Sequence, residues 1–174
     1  THNGYQWALG ETRTASGEGD LCGPGFLHGY TDPLLAVLLN PIHANITNPR
    51  LFRGEGTVAK TDHGLKIGCT EMTLTEEMEP PAINTVQRVA FGILCAKEIN
   101  KDEAWGKWAD DWLSGKDRTE AAAWAAWAAA AAAWAAAAWA AAEAAEAAAE
   151  AAWAAAAEAD IDLIAIAHKA MEVT

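Results

Sequence analysis

Cysteine is scarce in this sequence: 3 residues occur among 174, which is an odd number. Small secreted domains are held together by paired cysteines, so this count argues against a disulfide scaffold. A basic and then apolar leader, which would mark a secreted protein, is also missing at Thr1. We therefore expect the protein in the cytoplasm, or in a virion if the source is viral.

Basic residues are also few. The chain has 12 Lys and Arg against 24 Asp and Glu, which gives a formal net charge of -12. A negative protein repels phosphate backbones, so we expect no nucleic-acid partner. The sequence also lacks a P-loop, a nucleophile elbow and a zinc-protease helix motif. These absences favour a protein without catalytic residues.

Alanine is abundant, and it is concentrated in one segment. From Glu120 to Ala159 the chain consists almost entirely of Ala, Trp and Glu. Alanine has the highest helix propensity and no Gly or Pro interrupts this segment, so we predict a long helix of about 60 Å. Asp117 and Glu120 have the spacing of a capping box at its start. We expect a small mixed α+β domain over residues 1–116, followed over residues 117–174 by a long Ala/Trp-rich α-helix with an apolar C-terminal end.

Five of the 9 tryptophans lie on this predicted helix. At about 100° per residue they fall within an arc of roughly 140°, which gives the helix one aromatic face. Such a face needs cover, from the N-terminal domain, from another copy of the helix or from lipid. We favour another copy, and predict a homo-oligomer formed through Trp124, Trp127, Trp134, Trp139 and Trp153.

A membrane helix is the main alternative for this segment. The stretch Ala121–Ala142 is uncharged and long enough to cross a bilayer. However, alanine is weakly hydrophobic, and the tryptophans are spread through the stretch instead of lying at its two ends. Glu143 and Glu146 also follow it where basic anchors are expected. We therefore do not expect a membrane as a partner.

Shorter elements are predicted before this segment from hydrophobic periodicity and turn residues. Asp32 is expected to cap a helix with Pro33 at its first position, and Pro41 is expected to end that helix. The last predicted strand alternates through Cys69 and Met72 with one irregularity. The predicted strands cover residues 5–9, 26–30, 50–58 and 65–74, a glycine-rich loop covers 11–25, and the helices cover 33–39, 84–99 and 102–113.

The run Leu21–His28, followed by Asp32–Leu38, resembles an uncharacterised family of small phage and bacterial proteins. In that family a "GxHA…PxxAL" segment precedes a strand such as Leu51–Val58, a strand such as Lys66–Cys69 and a helix such as Thr85–Ala96. Alanine-rich tails are common there. The similarity covers residues 4–113, and this chain departs from it by inserting Leu27 before His28. The resemblance implies the α+β fold class and brings no established activity.

Two cysteines and two histidines offer the ligand types of a structural zinc site. They form the pairs Cys22 with His28 and His63 with Cys69, and His43 is a substitute ligand. The spacer within each pair is longer than the roughly two to four residues that are usual in zinc motifs. We therefore expect no cofactor, with zinc as the alternative if the two loops converge.

Cations and aromatic side chains of the N-terminal domain suit a cleft for a small anionic nucleotide. The simpler interpretation is that these cations balance nearby acids. A transferase that uses His28 and Tyr30 to hold a ribose and stack a base is a further alternative. The candidate ligand-binding residues are Trp7, Arg13, His28, Tyr30, Arg50, Arg53, Lys60 and Lys66.

These features together favour a non-enzymatic accessory protein of phage or bacterial origin, with a structural or interaction role, that self-assembles through its Ala/Trp helix. One alternative is a protein that binds and sequesters a small anionic nucleotide. The other is a small nucleotide-handling transferase.

Overall fold

The computed structural model describes residues 6–44, 46–62, 66–119 and 161–174. The chain divides into two compact units. Unit 1 contains Thr1–Ile83 and Asp162–His168, and unit 2 contains Asn84–Ile161 and Lys169–Thr174. The helix predicted over residues 120–159, with its five tryptophans, lies outside the described residues.

Unit 1 is built on an antiparallel sheet with β4 in the centre. β3 pairs along one side of β4, while β1 and β2 pair with successive parts of its other side. The fold is therefore mixed α+β, as predicted. The strands are β1 (Thr12–Thr14), β2 (Leu27–Gly29), β3 (Leu51–Asp62) and β4 (Lys66–Met78).

The sheet has one apolar face and one polar face. The apolar face carries a buried cluster of Leu27, Cys69, Met72 and Leu74. Cys69 and Met72 share this face because β4 contains a bulge: Thr57 pairs with Glu71, and the next residue of β3 pairs with Cys69. This bulge confirms the predicted irregularity, since one additional residue reverses the alternation of side chains.

Helix α1 (Pro33–His43) begins as predicted. Asp32 is its N-cap and accepts a hydrogen bond from the Leu34 N–H at 2.7 Å. The prediction that Pro41 ends this helix is wrong, since α1 continues to His43. Proline in the last turn removes only one N–H bond, and its fixed φ suits a helix. The buried residues of α1 are Leu34, Leu35, Leu38 and Leu39.

The strand predicted over residues 5–9 is absent at residues 6–9, and β1 lies further along the chain within the predicted loop. β1 has no apolar alternation of its own. It forms because β4 offers an unpaired edge at residues 71–73, where the Thr12 and Thr73 hydroxyls are also 2.7 Å apart. The strands predicted over 26–30, 50–58 and 65–74 are confirmed as β2, β3 and β4, and the last two extend beyond their predicted ends to Asp62 and Met78.

Unit 2 contains two helices that match the predictions, α2 (Thr85–Ile99) and α3 (Glu103–Leu113). Asn84 and Gln87 form a reciprocal capping box at the start of α2, and Asp102 caps α3. A further helix is α4 (Leu163–Met171), whose residues up to His168 belong to unit 1 and whose residues from Lys169 belong to unit 2. In unit 1 its His168 Nε2 lies 3.2 Å from Asp32 Oδ2, and in unit 2 the Met171 carbonyl accepts a hydrogen bond from Gln87 Nε2 at 3.0 Å.

Candidate functional site

The glycine-rich loop between β1 and β2 folds back on itself and covers part of the polar face. The Gly17 N–H donates to the Gly25 carbonyl at 2.8 Å and closes the loop at its base. Gly25 is required there, because a Cβ at this position would lie 1.9 Å from the Glu18 carbonyl oxygen. The loop therefore has a defined shape built from backbone contacts.

Beneath the loop, His28, Gly68 and Lys60 form one row across β2, β4 and β3. Gly68 has no side chain, and this leaves room for Leu21 of the loop, whose Cδ1 would be 2.5 Å from a Cβ there. The two flanking side chains hold the loop. His28 Nε2 donates to the Leu21 carbonyl, and Lys60 Nζ donates to the Gly19 carbonyl at 2.6 Å.

The hydrogen bond of His28 determines where its ring proton lies. A carbonyl oxygen only accepts hydrogen bonds, so Nε2 must carry a hydrogen, and in the neutral ring Nδ1 then has the free lone pair. The His28 side chain is exposed. In this structure His28 therefore acts as a hydrogen-bond donor that holds the loop.

Burial keeps one tyrosine and two cysteines of the described residues protonated. Tyr30 is half-buried, and burial raises the pKa of its phenol to about 12. Burial also raises the pKa of the Cys69 thiol, and that of Cys95 to about 11, with the nearby Glu98 carboxylate adding to the shift. At neutral pH these groups are hydrogen-bond donors or inert thiols instead of anionic nucleophiles.

The three candidate arginines each lie against a carboxylate. Arg13 Nη2 is 2.8 Å from Glu11 Oε1. Arg50 forms a two-pronged ion pair with Glu77, which lowers the pKa of that carboxyl, mainly through the hydrogen bond itself. Arg53 Nη1 is 3.2 Å from Glu76 Oε2. This arrangement matches the interpretation that the cations balance nearby acids.

The candidate cleft residues are also spread over the sheet. Arg53 pairs across from Glu76 near one end of β4, and Lys66 is the first residue of that strand. At about 3.3 Å per residue, the positions of Lys66 and Glu76 are roughly 33 Å apart. Arg13, with Trp7 at 5.9 Å from its guanidinium, stands opposite Met72 on the apolar face. The structure thus does not bring these residues together around one small nucleotide.

The zinc candidates are not brought together either. Cys69 lies in the apolar cluster, His28 lies on the polar face, and Cys22 is exposed in the loop. His63 and the side chain of His43 lie outside the described residues. Within the described ranges there is no group of three or more His, Cys, Asp or Glu residues placed to hold a metal ion. Cys69 and His28 are separated because neighbouring strand residues point to opposite faces.

One feature was not predicted from the sequence, namely the exposed outer side of β3. Residues 53–60 are all exposed, including Val58 with 52% of its surface accessible. In the part of the chain that the structure describes, β3 pairs only with β4. The sequence of the strand could have indicated this exposure. Residues 53–60 (RGEGTVAK) contain few apolar side chains, so this strand cannot be buried on both faces.

Comparison with known proteins identified no relative of this chain. No protein-family model matches the chain, and no curated protein or solved structure matches it. Among the described helices, none combines the length and the apolar character needed to span a membrane.

Proposed function

We propose that this protein is a non-enzymatic accessory protein of phage or bacterial origin that self-assembles through a long Ala/Trp-rich helix over residues 120–159 and acts in the cytoplasm in a structural or interaction role. The observation that carries the proposal is the arc of five tryptophans on one side of that helix. Alanines allow helices to approach closely, and the indole rings fill the grooves between them.

The residues just before this segment support a helix that starts there. Asp117 Oδ1 accepts hydrogen bonds from the Thr119 N–H at 3.0 Å and from the Thr119 hydroxyl at 2.7 Å. The N-cap of α1, Asp32, makes the same bond to the N–H two residues later. Asp117 therefore has the contact of a capping residue, as expected if the helix follows it directly.

The charges of unit 1 favour an interaction role over nucleotide sequestration. A phosphate at Arg13, Arg50 or Arg53 would have to displace Glu11, Glu77 or Glu76. Each displacement leaves a carboxylate close to the bound anion, which weakens the site. The free cysteines Cys22, Cys69 and Cys95 support a reducing compartment.

The proposal is tested by replacing Trp124, Trp127, Trp134, Trp139 and Trp153 with alanine in the full chain. Alanine preserves helix propensity, so the change removes the aromatic face and leaves the tendency to form a helix. We expect the molar mass from size-exclusion chromatography with light scattering to fall at least about twofold, because the apolar contact area is lost. An unchanged mass would contradict self-assembly through this segment.

The matched control replaces Glu143, Glu150 and Glu158 with glutamine. These three residues lie on the same predicted helix, outside the tryptophan arc. The control variant should keep the mass of the parent protein. Circular dichroism of both variants checks that the helix content is retained.

A further inference from the structure

The outer side of β3 is suited to one additional strand. All pairings of β3 that involve the described residues are with β4. A strand in an antiparallel sheet directs its backbone N–H and C=O groups to its two sides, so about half of those of β3 point away from β4. Such a row of donors and acceptors is a template for β-strand addition.

We infer that this additional strand is β3 of a second copy of the chain, paired antiparallel about a two-fold axis that passes at Thr57. The pairing of identical strands about such an axis places each residue of one copy opposite a fixed residue of the other. The charges along β3 are complementary in this register.

The bulge at Ala59 determines which residues meet. Val58 is opposite Cys69 and Lys60 is opposite Gly68, the next residue of β4, so Ala59 is additional in β3. Counting outward from Thr57 and passing over Ala59, Glu55 stands opposite Lys60 of the second copy. Both positions belong to the polar face, since Glu55 pairs with Thr73 and Lys60 with Gly68.

The same register extends further along the strand. It places Arg53 opposite position Asp62 of the second copy, and the two-fold axis repeats each pairing on its other side. By sequence, each charged position of β3 is therefore matched with a position of opposite charge in the second copy. Directly opposite charges of unlike sign stabilise a strand pair, whereas like charges destabilise it.

Several other registers bring like charges together. An axis at Glu55 places that carboxylate against its own copy, and axes at Arg53 or Lys60 do the same with two cations. Each of these arrangements is disfavoured by repulsion. The charges of β3 thus disfavour these three registers. An axis at Gly54 would also pair opposite charges, Arg53 with Glu55, but it joins only residues 51–57 of each strand, so the longer register centred on Thr57 is favoured.

The two groups that would form the central ion pair are accessible. Glu55 is exposed and makes no ion pair within the described ranges. Lys60 is exposed, and its ammonium group donates one hydrogen bond to the Gly19 carbonyl and lies 5.2 Å from the centroid of the Phe26 ring. Its remaining N–H groups can bind a carboxylate. This interface lies on the sheet and does not depend on the Ala/Trp-rich segment.

The inference is tested by cross-linking through the proposed axis. In the full chain with Cys22→Ser, the substitution Thr57→Cys places two thiols directly opposite each other, with Cβ atoms about 4.5–5.5 Å apart. A short bifunctional thiol reagent should then yield a covalent dimer on denaturing gels. The matched control is Thr75→Cys, an exposed position on the central strand β4, which should stay monomeric. No dimer with Thr57→Cys, or equal dimer at both positions, overturns the inference.

A charge exchange then tests the register. Glu55→Lys in the Thr57→Cys protein places a lysine opposite Lys60 of the second copy. Because these like charges repel, we expect about tenfold less cross-linking. The exchange Glu55→Lys with Lys60→Glu restores opposite charges and should restore the dimer. An unchanged yield of cross-linked dimer in the Glu55→Lys variant would contradict the register centred on Thr57. The cross-link is expected to persist when the five tryptophans are alanine, so its failure is distinguishable from a failure of helix-driven assembly.

Discussion

At the scale of single residues, burial determines the chemistry of the cysteines. Cys69 is 1% exposed within the apolar cluster, and Cys95 is partly buried on α2, whereas Cys22 is exposed in the glycine-rich loop. The thiolate is the reactive form, and a buried site disfavours it because the charge loses its hydration.

We therefore predict that Cys22 is alkylated before the buried cysteines in the native protein. At about pH 8, a thiol with a pKa of about 11 is thiolate in roughly one molecule per thousand. Iodoacetamide should modify Cys22 first, and labelling of Cys95 should rise as the pH approaches its raised pKa. Mass spectrometry of digests measures each site, and unfolding in urea should remove the difference. Equal rates for Cys22 and Cys95 in the native protein would disprove the burial described here.

At the scale of elements, the close pairing of β3 and β4 depends on individual glycines. A Cβ at Gly56 would lie 2.2 Å from the Glu71 carbonyl oxygen, which belongs to the backbone of the partner strand. A Cβ at Gly54 would meet the Met72 side chain at 3.3 Å and the Thr73 carbonyl oxygen at 3.4 Å. A methionine side chain is flexible and yields readily, whereas a strand backbone does not.

This contrast predicts different effects of the same substitution at two positions of one strand. Gly56→Ala should lower the local free energy of opening by about 2 kcal/mol, because the strands must separate. Gly54→Ala should change it by less than about 0.5 kcal/mol. Hydrogen exchange of the β3 and β4 amides measures both values. Equal protection of these amides from exchange in the two variants would contradict the packing described for Gly56 and Gly54.

The elements also show what the sequence could predict. Asp32 with Pro33 and the irregular alternation in β4 are local signals, and each appears in the structure. β1 was missed because its pairing is supplied by β4, which lies far along the chain. The row of His28, Gly68 and Lys60 was missed for the same reason, since the strand register alone brings these residues together.

At the scale of the whole molecule, a net charge of -12 opposes the association of identical copies. Salt screens this repulsion: the Debye length falls from about 30 Å at 0.01 M to about 3 Å at 1 M. Contacts between apolar tryptophan faces do not weaken with salt, whereas exposed ion pairs across β3 do. The two proposed interfaces therefore respond to salt in opposite directions.

We predict that the light-scattering mass of the parent protein stays constant or rises between about 0.01 M and 1 M salt, because repulsion is screened and the tryptophan contacts remain. Over the same range, cross-linking of the Thr57→Cys protein should decrease, since the pair of Glu55 and Lys60 is exposed. A mass that falls with salt would mean that charges, and not tryptophans, hold the copies together. Cross-linking that is independent of salt would mean that backbone pairing, and not charge, sets the contact of the two β3 strands.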